Sequence, residues 1–129
     1  SHSNFGTSRH ARAARVAHAA DLLRREHPDL IVDGEMQVDS AVDQELRDSR
    51  FGFSRLDGEA NVLIFPDLDS GNIGYKLLHR LGGAELIGPV LLNMKQPVNV
   101  LEYECSVPAI VNLATITCIQ AHRMLGQEE

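Results

Sequence analysis

The sequence predicts an α/β fold, a three-layer domain in which helices flank a mostly parallel β-sheet. The segment 61–65 is apolar after its first residue and ends at Pro66, which is typical of a strand covered on both faces. A polar turn follows, and apolar residues then recur at helical spacing up to Gly82. Other strand-like and helix-like segments alternate along the chain, and this alternation favours a parallel sheet.

Four helices are predicted from composition and end signals. Their bounds are 9–27, 41–48, 73–81 and 107–125. The first is rich in Ala, Leu and Arg, and Thr7 or Ser8 is in position to cap it. It ends before Pro28, because the residue preceding a proline avoids helical geometry. The last has Ser106 as its N-cap and Gly126 at its stop.

Four strands are predicted from β-branched or apolar runs. They lie at 30–32, 61–65, 86–94 and 98–101. The segment 49–59 has no periodicity and reads as a surface loop. The length of 129 residues, with 43% hydrophobic and 23% charged residues, predicts one globular domain over 1–129. Because the chain opens without Met and soon enters a helix, we expect it to be a piece of a longer polypeptide.

Composition excludes several function classes. The net charge is −6 and Trp is absent, so a nucleic-acid partner is not expected. No apolar run approaches the roughly 20 residues that span a bilayer, so no membrane partner is expected either. Cys105 and Cys118 form no CxxC motif, which indicates a reducing, cytoplasmic setting and argues against a zinc site.

The polar turn at 69–74 is the most informative candidate for a binding site. In open α/β sheets, ligands bind beyond the carboxyl ends of strands, where helix N-termini present unpaired N–H groups. Gly71 and Gly74 would let a phosphate approach the backbone, and Lys76 would reach over it. The spacing matches neither Walker A nor GxGxxG, and a calcium loop would need a carboxylate at Leu78. The turn is therefore either a phosphate cradle or a tight start of a helix.

Other polar groups allow two readings each. The segment 3–7 is either an anion clamp or a helix cap, the nearby arginines being Arg9, Arg12 and Arg15. An acidic stretch forms either a magnesium or acid–base site or a solvated face; its members are Asp33, Glu35, Asp39, Asp43 and Glu45. His10 and His18 lie too far apart along a helix to chelate one ion. Cys105 is either the one conceivable nucleophile, without an evident general base, or a small, partly buried structural residue.

Several segments together resemble the phosphate acetyltransferase/butyryltransferase family over nearly the whole chain. They are 33–39, 60–68, 71–77, 87–89 and 95–99. The resemblance implies an isocitrate/isopropylmalate dehydrogenase-like fold and the C-terminal portion of such a protein. Acetyltransferases tend to have Ser-Thr-Lys-Gly where this chain has Ser-Asn-Phe-Gly at 3–6. Together with 53–56, this opening resembles the acetyltransferase-like C-terminal domain of bacterial NADP-dependent malic enzymes.

The segment 101–106 departs from the pattern of active family members. Those members carry Leu-Ser-Arg-Gly-Cys-Ser, with an acidic residue three positions after the last serine; the resemblance implies proton transfer by the serine and the acid, and phosphate binding by the arginine. Here Glu102, Tyr103 and Glu104 replace the Ser-Arg-Gly, and Ala109 stands at the acidic position. Losing one transition-state donor costs about 10²–10³ in rate, so we expect acyl transfer to be absent or vestigial and assign no catalytic residue.

The leading hypothesis is a non-catalytic domain of a malic enzyme that senses acetyl-CoA and dimerises. In this hypothesis NADP and a divalent metal belong to N-terminal domains that oxidatively decarboxylate malate to pyruvate. Gly71, Asn72 and Lys76 are expected near the CoA phosphates, with Ser3 and Asn4 at the cleft edge. The expected partners are an acyl-CoA or acetyl phosphate and further copies of the chain. The alternatives are an active phosphate acetyltransferase and a purely structural subunit contact.

Overall fold

Five α-helices form in the described part of the chain, residues 1–126 of the computed structural model. They are α1 (Ala11–Glu26), α2 (Val38–Val42), α3 (Gln44–Arg50), α4 (Leu68–Leu81) and α5 (Val107–Leu125). The chain divides into two compact units, Ser1–Gly74 and Tyr75–Glu129. The assignment of one domain stays a prediction.

The first predicted helix is confirmed as α1, with a different cap. His10 takes the N-cap position, and its Nδ1 atom accepts a hydrogen bond of 3.2 Å from the Arg12 N–H. At the other end the N–H of His27 donates to the Leu23 carbonyl, and Pro28 prevents continuation. The helix therefore begins two residues later than predicted and ends one residue before its predicted end.

The second predicted helix is interrupted at Asp43. The Asp43 N–H donates to the Asp39 carbonyl and closes α2, while its side-chain oxygen accepts from the Leu46 N–H at 2.9 Å and caps α3. An aspartate competes with helical hydrogen bonding inside a helix and stabilises a helix start. One predicted helix over 41–48 therefore becomes two short helices.

The guanidinium of Arg47 is fully buried and ties α3 to its surroundings. Its two terminal nitrogens donate to the carbonyls of Ser40, Ala41 and Gly58, at 3.2, 3.4 and 2.5 Å. Within the described residues its Nε atom has no hydrogen-bond partner. Because the carbonyls belong to α2 and to the loop beyond α3, this one side chain holds three parts of the first unit together.

The helix α4 begins at Leu68, five residues earlier than predicted. Asp67 accepts from the N–H and the hydroxyl of Ser70, at 2.9 and 2.7 Å, and so stabilises the first turn. The predicted polar turn at 69–74 is therefore helical. The predicted stop is confirmed, since Gly83 adopts a φ of +66° just after the helix.

The last predicted helix is confirmed by α5. The Ser106 hydroxyl accepts from the Ala109 N–H, and the Gly126 N–H donates to the His122 carbonyl. Within the described residues, no helix combines the length and the apolar character that crossing a membrane requires.

The predicted sheet is not confirmed by the described residues, because none of them forms a β-strand. A strand is defined by hydrogen bonds to a neighbouring strand, and the segment 61–65 lacks such a neighbour here. Its side chains are also exposed to solvent, Val62 by 69% and Ile64 by 80%. The expectation of a strand covered on both faces is therefore not met among residues 1–126.

Candidate functional site

The turn at 3–7 is organised by the buried carboxylate of Glu35, which is 3% exposed. One oxygen, Oε1, accepts from the Ser3 hydroxyl at 2.8 Å and from the Gly6 N–H at 2.7 Å. The Glu35 carbonyl accepts from the Phe5 N–H at 2.8 Å. Reading Glu35 as part of a solvated acidic face is therefore wrong, because its oxygens accept hydrogen bonds from a turn more than twenty-five residues away in sequence.

The predicted ligand residues Ser3 and Asn4 are buried and already hydrogen-bonded within the protein. The Asn4 side chain accepts from the Gln37 N–H at 2.6 Å and donates to the Gln37 side-chain oxygen at 3.1 Å. The Ser3 hydroxyl additionally accepts from the Ser8 N–H at 3.0 Å. These two residues thus shape the turn, and their role at the edge of a CoA cleft stays a prediction.

A second carboxylate, Asp33, holds the loop that follows α3. It pairs with Arg24 of α1 and accepts from the Ser54 hydroxyl and the Arg55 N–H at 2.8 and 2.7 Å. Burial raises the pKa of Asp33, but hydrogen bonds from Arg55, Ser54 and Gly34 and the charge of Arg24 lower this pKa by more. The net effect places the pKa of Asp33 below its ordinary value, so the carboxylate stays ionised.

Three phenylalanines meet between these two anchored segments. The ring centroids of Phe5 lie 5.2 Å from Phe51 and 4.9 Å from Phe53, and those of Phe51 and Phe53 lie 6.1 Å apart. Phe5 adopts a φ of +47°, a conformation that bulky side chains rarely take. We name these three residues the aromatic platform. Sequence reasoning missed it because Phe5 lies far from the other two along the chain.

The glycines of α4 serve a close contact with an aromatic ring. A Cβ atom on Gly74 would lie 3.0 Å from the Phe65 ring, and one on Gly71 would lie 3.6 Å from the Phe65 Cβ. The reading as a tight helix start is confirmed, and the reading as a phosphate cradle stays a prediction. Asn72 and Lys76 lie one turn apart on α4 and are exposed. No hydrogen bond among the described residues joins Asn72 to the turn at 3–7.

A cavity of about 680 Å³ lies in the first unit, with walls from α1, 30–38 and 60–67. Its walls are mainly apolar, and Arg12 and Asp67 are among the charged residues that line them. Hydrogen bonds from the Ser70 N–H and hydroxyl, and then the charge of Arg12, lower the pKa of Asp67. Ser3, Asn4 and Asn72 do not line this cavity. Its walls do include Glu35 and Gln37, the hydrogen-bond partners of Ser3 and Asn4.

In the second unit, the segment 101–106 precedes α5. Glu102, Tyr103 and Glu104 are exposed, and Cys105 is half-buried. The Ser106 hydroxyl is engaged as the N-cap of α5. Among residues 1–126, no three His, Cys, Asp or Glu side chains come close enough together to hold a metal ion.

The chain is similar to phosphate acetyltransferases over nearly its whole length. The family described as phosphate acetyl/butaryl transferase matches residues 1–118. The phosphate acetyltransferase of Clostridium acetobutylicum is 42% identical over 123 residues, covering 95% of this chain and 37% of that protein. That of Acetivibrio thermocellus is 45% identical over 121 residues, covering 94% of this chain and 36% of that protein.

Solved structures give the same relationship. A phosphotransacetylase from Streptococcus pyogenes superposes with a TM-score of 0.89 at 40% identity, covering 95% of this chain and 37% of that one. The EutD phosphotransacetylase from Staphylococcus aureus gives 0.86 at 38% identity, covering 94% of this chain and 38% of that one. These neighbours are consistent with an α/β fold. This chain spans between 36% and 38% of the length of these relatives.

These matches overturn the leading hypothesis from sequence. Relatives that align over 94% and 95% of the chain are named phosphate acetyltransferases, so a regulatory malic enzyme domain is not supported. The oxidoreductase class and NADP are not supported either. The malic enzyme parent came from the resemblance of 3–6 and 53–56, two short segments that do not outweigh the alignment of the whole chain. The non-catalytic reading came from treating the changes at Glu102, Tyr103 and Ala109 as decisive, although a reaction centre also draws on groups outside one segment.

Proposed function

The chain belongs to the phosphate acetyl/butaryl transferase family, and on that premise we propose that its protein transfers an acetyl group between CoA and phosphate. The observation that carries the proposal is the alignment of nearly all of this chain to relatives named phosphate acetyltransferase. Acetyl-CoA is then a substrate or product.

The proposed reaction exchanges one bond to the acetyl carbon for another. The CoA sulfur attacks the carbonyl carbon of acetyl phosphate, a C–S bond forms, and the C–O bond to phosphate breaks. The thiol proton passes to a base or to the released phosphate. Positive charge and hydrogen-bond donors around the phosphate stabilise the transition state.

We assign CoA phosphate binding to the exposed face of α4 that carries Asn72 and Lys76. The Asn72 amide would donate a hydrogen bond and the Lys76 ammonium would supply charge. Asn72→Asp should weaken acetyl-CoA binding, because a carboxylate would then face phosphates. Calorimetry on the full-length protein tests this, with Asn72→Gln as a control that keeps the amide. Unchanged affinity for Asn72→Asp would remove this residue from the site.

The proposed acetyl transfer can also be tested by giving the segment 101–106 and position 109 the residues of active family members. The restored variant changes four positions to the residues of active members: Glu102→Ser, Tyr103→Arg, Glu104→Gly and Ala109→Asp. Two carboxylates near a phosphate dianion oppose binding, and each lost transition-state donor costs about 10²–10³ in rate. The restored variant should therefore raise kcat by at least about 10².

The assay mixes full-length protein with acetyl phosphate and CoA and follows thioester formation by ultraviolet absorbance. The natural protein should form acetyl-CoA above the rate in buffer alone, and Val107→Thr, an exposed position on α5, serves as a matched control for the restored variant. A natural protein and a restored variant that both stay at the buffer rate would refute the proposed function.

Three further expectations remain part of this proposal. The segment 61–65 is proposed to join a parallel sheet, and the cysteine usage favours a cytoplasmic location. A homo-oligomer is proposed because two large apolar side chains in 86–92 are exposed, Ile87 by 41% and Leu92 by 74%. Sedimentation of the full-length protein tests the last point, and a monomer at micromolar concentration would contradict it.

A further inference from the structure

The aromatic platform in the first unit presents an open ring to solvent. Phe53 is 68% exposed although its ring contacts that of Phe5 edge to face. Phe5 and Phe51 are half-buried, and both rings meet that of Phe53 edge to face. Three of the four phenylalanines of a Trp-free chain are gathered at this place. A ring with one supported edge and a free face is suited to stacking on a planar ligand.

The platform is fixed by two buried carboxylates that lie two residues apart. Glu35 holds the turn that carries Phe5 in its positive-φ conformation, and Asp33 holds the loop just after Phe53. The short segment 33–35 therefore anchors both halves of the platform. Backbone strain persists where the surroundings enforce it, and such positions concentrate at ligand sites. A surface held in this way loses little entropy when a ligand binds.

Two exposed arginines flank the platform in sequence. Arg50 ends α3 directly before Phe51, and Arg55 follows Phe53 by two residues. Among residues 1–126, neither of them forms a salt bridge. Both guanidinium groups therefore keep their charge available for a ligand, close in sequence to the phenylalanines of the platform. This combination fits a ligand that has both a planar base and phosphate groups.

We propose that the aromatic platform, with Arg50 and Arg55, binds the adenine nucleotide end of CoA. The adenine ring stacks on Phe53, and the guanidinium groups pair with the ribose 3′-phosphate of the same nucleotide. This inference rests on the proposed function, which makes CoA a substrate. It adds a binding site that recognises the nucleotide of CoA, a part of the molecule that does not react during acetyl transfer.

The test measures binding of adenosine 3′,5′-bisphosphate, the nucleotide fragment of CoA, to the full-length protein by calorimetry. Removing one stacking ring by Phe53→Ala should weaken binding about tenfold. Arg55→Gln should also weaken binding and reduce its dependence on salt. Ile31→Ala is the matched control, because Ile31 is also 68% exposed and lies in the same unit outside the platform. It should bind like the natural protein.

A kinetic arm separates this inference from the proposed function. In the acetyl transfer assay, Phe53→Ala should raise the KM for CoA and leave turnover with pantetheine, which lacks the nucleotide, unchanged. If the protein transfers acetyl groups but Phe53→Ala binds the bisphosphate as the natural protein does, the proposed role of the platform is wrong and the proposed function stands. Phe53-dependent bisphosphate binding without any acetyl transfer would support the platform and refute the proposed function. Equal weakening by Ile31→Ala, or loss of an oligomer in Phe53→Ala, would also overturn the platform.

Discussion

The hydrogen bonds of Glu35 allow a quantitative prediction for the turn at 3–7. Glu35→Ala leaves the Ser3 hydroxyl and the Gly6 N–H without their shared acceptor. Each unsatisfied buried donor costs roughly 1–3 kcal/mol. The two donors together would cost roughly 2–6 kcal/mol. Because Gly6 is exposed and water can reach its N–H, the total should lie in the lower part of that range, roughly 2–4 kcal/mol. A loss of about 2 kcal/mol corresponds to roughly 30-fold easier opening of the turn.

Amide hydrogen exchange on the full-length protein measures this opening directly. The peptide spanning 3–8 should exchange at least about 30-fold faster in Glu35→Ala. Glu35→Gln keeps an oxygen acceptor at the same place, although a neutral oxygen accepts more weakly than a carboxylate. Exchange of this peptide should therefore become faster by less than about tenfold in Glu35→Gln. Glu45→Ala, at an exposed position on α3, should leave this peptide unchanged. Unchanged exchange in Glu35→Ala would refute the reasoning and assign the turn to the Asn4–Gln37 pair.

Three other predictions concern charge, burial and capping. Since the pKa of Asp33 is lowered in the fold, its ionised form stabilises the protein above the model-compound value of 3.8, and this stability is lost as the pH falls through the lowered pKa. In Asp33→Asn, the free energy of unfolding measured with urea should therefore fall less steeply as the pH is lowered. An unchanged dependence on acidic pH would contradict this. Arg47→Ala should lower the free energy of unfolding by about 3 kcal/mol or more, which would appear as a lower midpoint of urea unfolding. An unshifted midpoint would contradict the role of Arg47 in holding the first unit together. Ser106→Ala should cost about 0.5–1 kcal/mol and Ser106→Gly only a few tenths, measured by exchange in α5; equal effects would show that the cap is unimportant.

Helices whose signals are local could be predicted from the sequence. The bounds of α5 follow from a capping serine, Ser106, and a terminal glycine, Gly126. The end of α1 follows from Pro28 and the end of α4 from its glycine pair. The starts were less predictable, because His10 and Asp67 cap through side-chain geometry that several neighbouring polar residues would also allow.

The anchors of the candidate site could not be predicted, because their partners are distant in sequence. Glu35 bonds Ser3, and Asp33 bonds Ser54. A local window shows only a run of acidic residues, which is usually a solvated face. The sheet was predicted from apolar runs such as 61–65, but a strand also needs a neighbour, and none pairs with it among residues 1–126.

The function was misassigned for a related reason. The changes at Glu102, Tyr103 and Ala109 are real departures from the pattern of active family members. One segment does not decide a reaction, however, because transition-state stabilisation is shared among groups from several parts of a protein. This chain spans between 36% and 38% of its relatives' length. The family assignment carries more weight than the single segment, because it rests on an alignment of nearly the whole chain.

Isotope exchange tests the central claim of acetyl transfer most directly. Radiolabelled inorganic phosphate is incubated with the full-length protein, acetyl phosphate and CoA, and the label in acetyl phosphate is measured. Direct transfer predicts that label enters acetyl phosphate when CoA is present and not when CoA is omitted. Absence of exchange with CoA would contradict the proposed function, and exchange without CoA would contradict direct attack by the CoA sulfur.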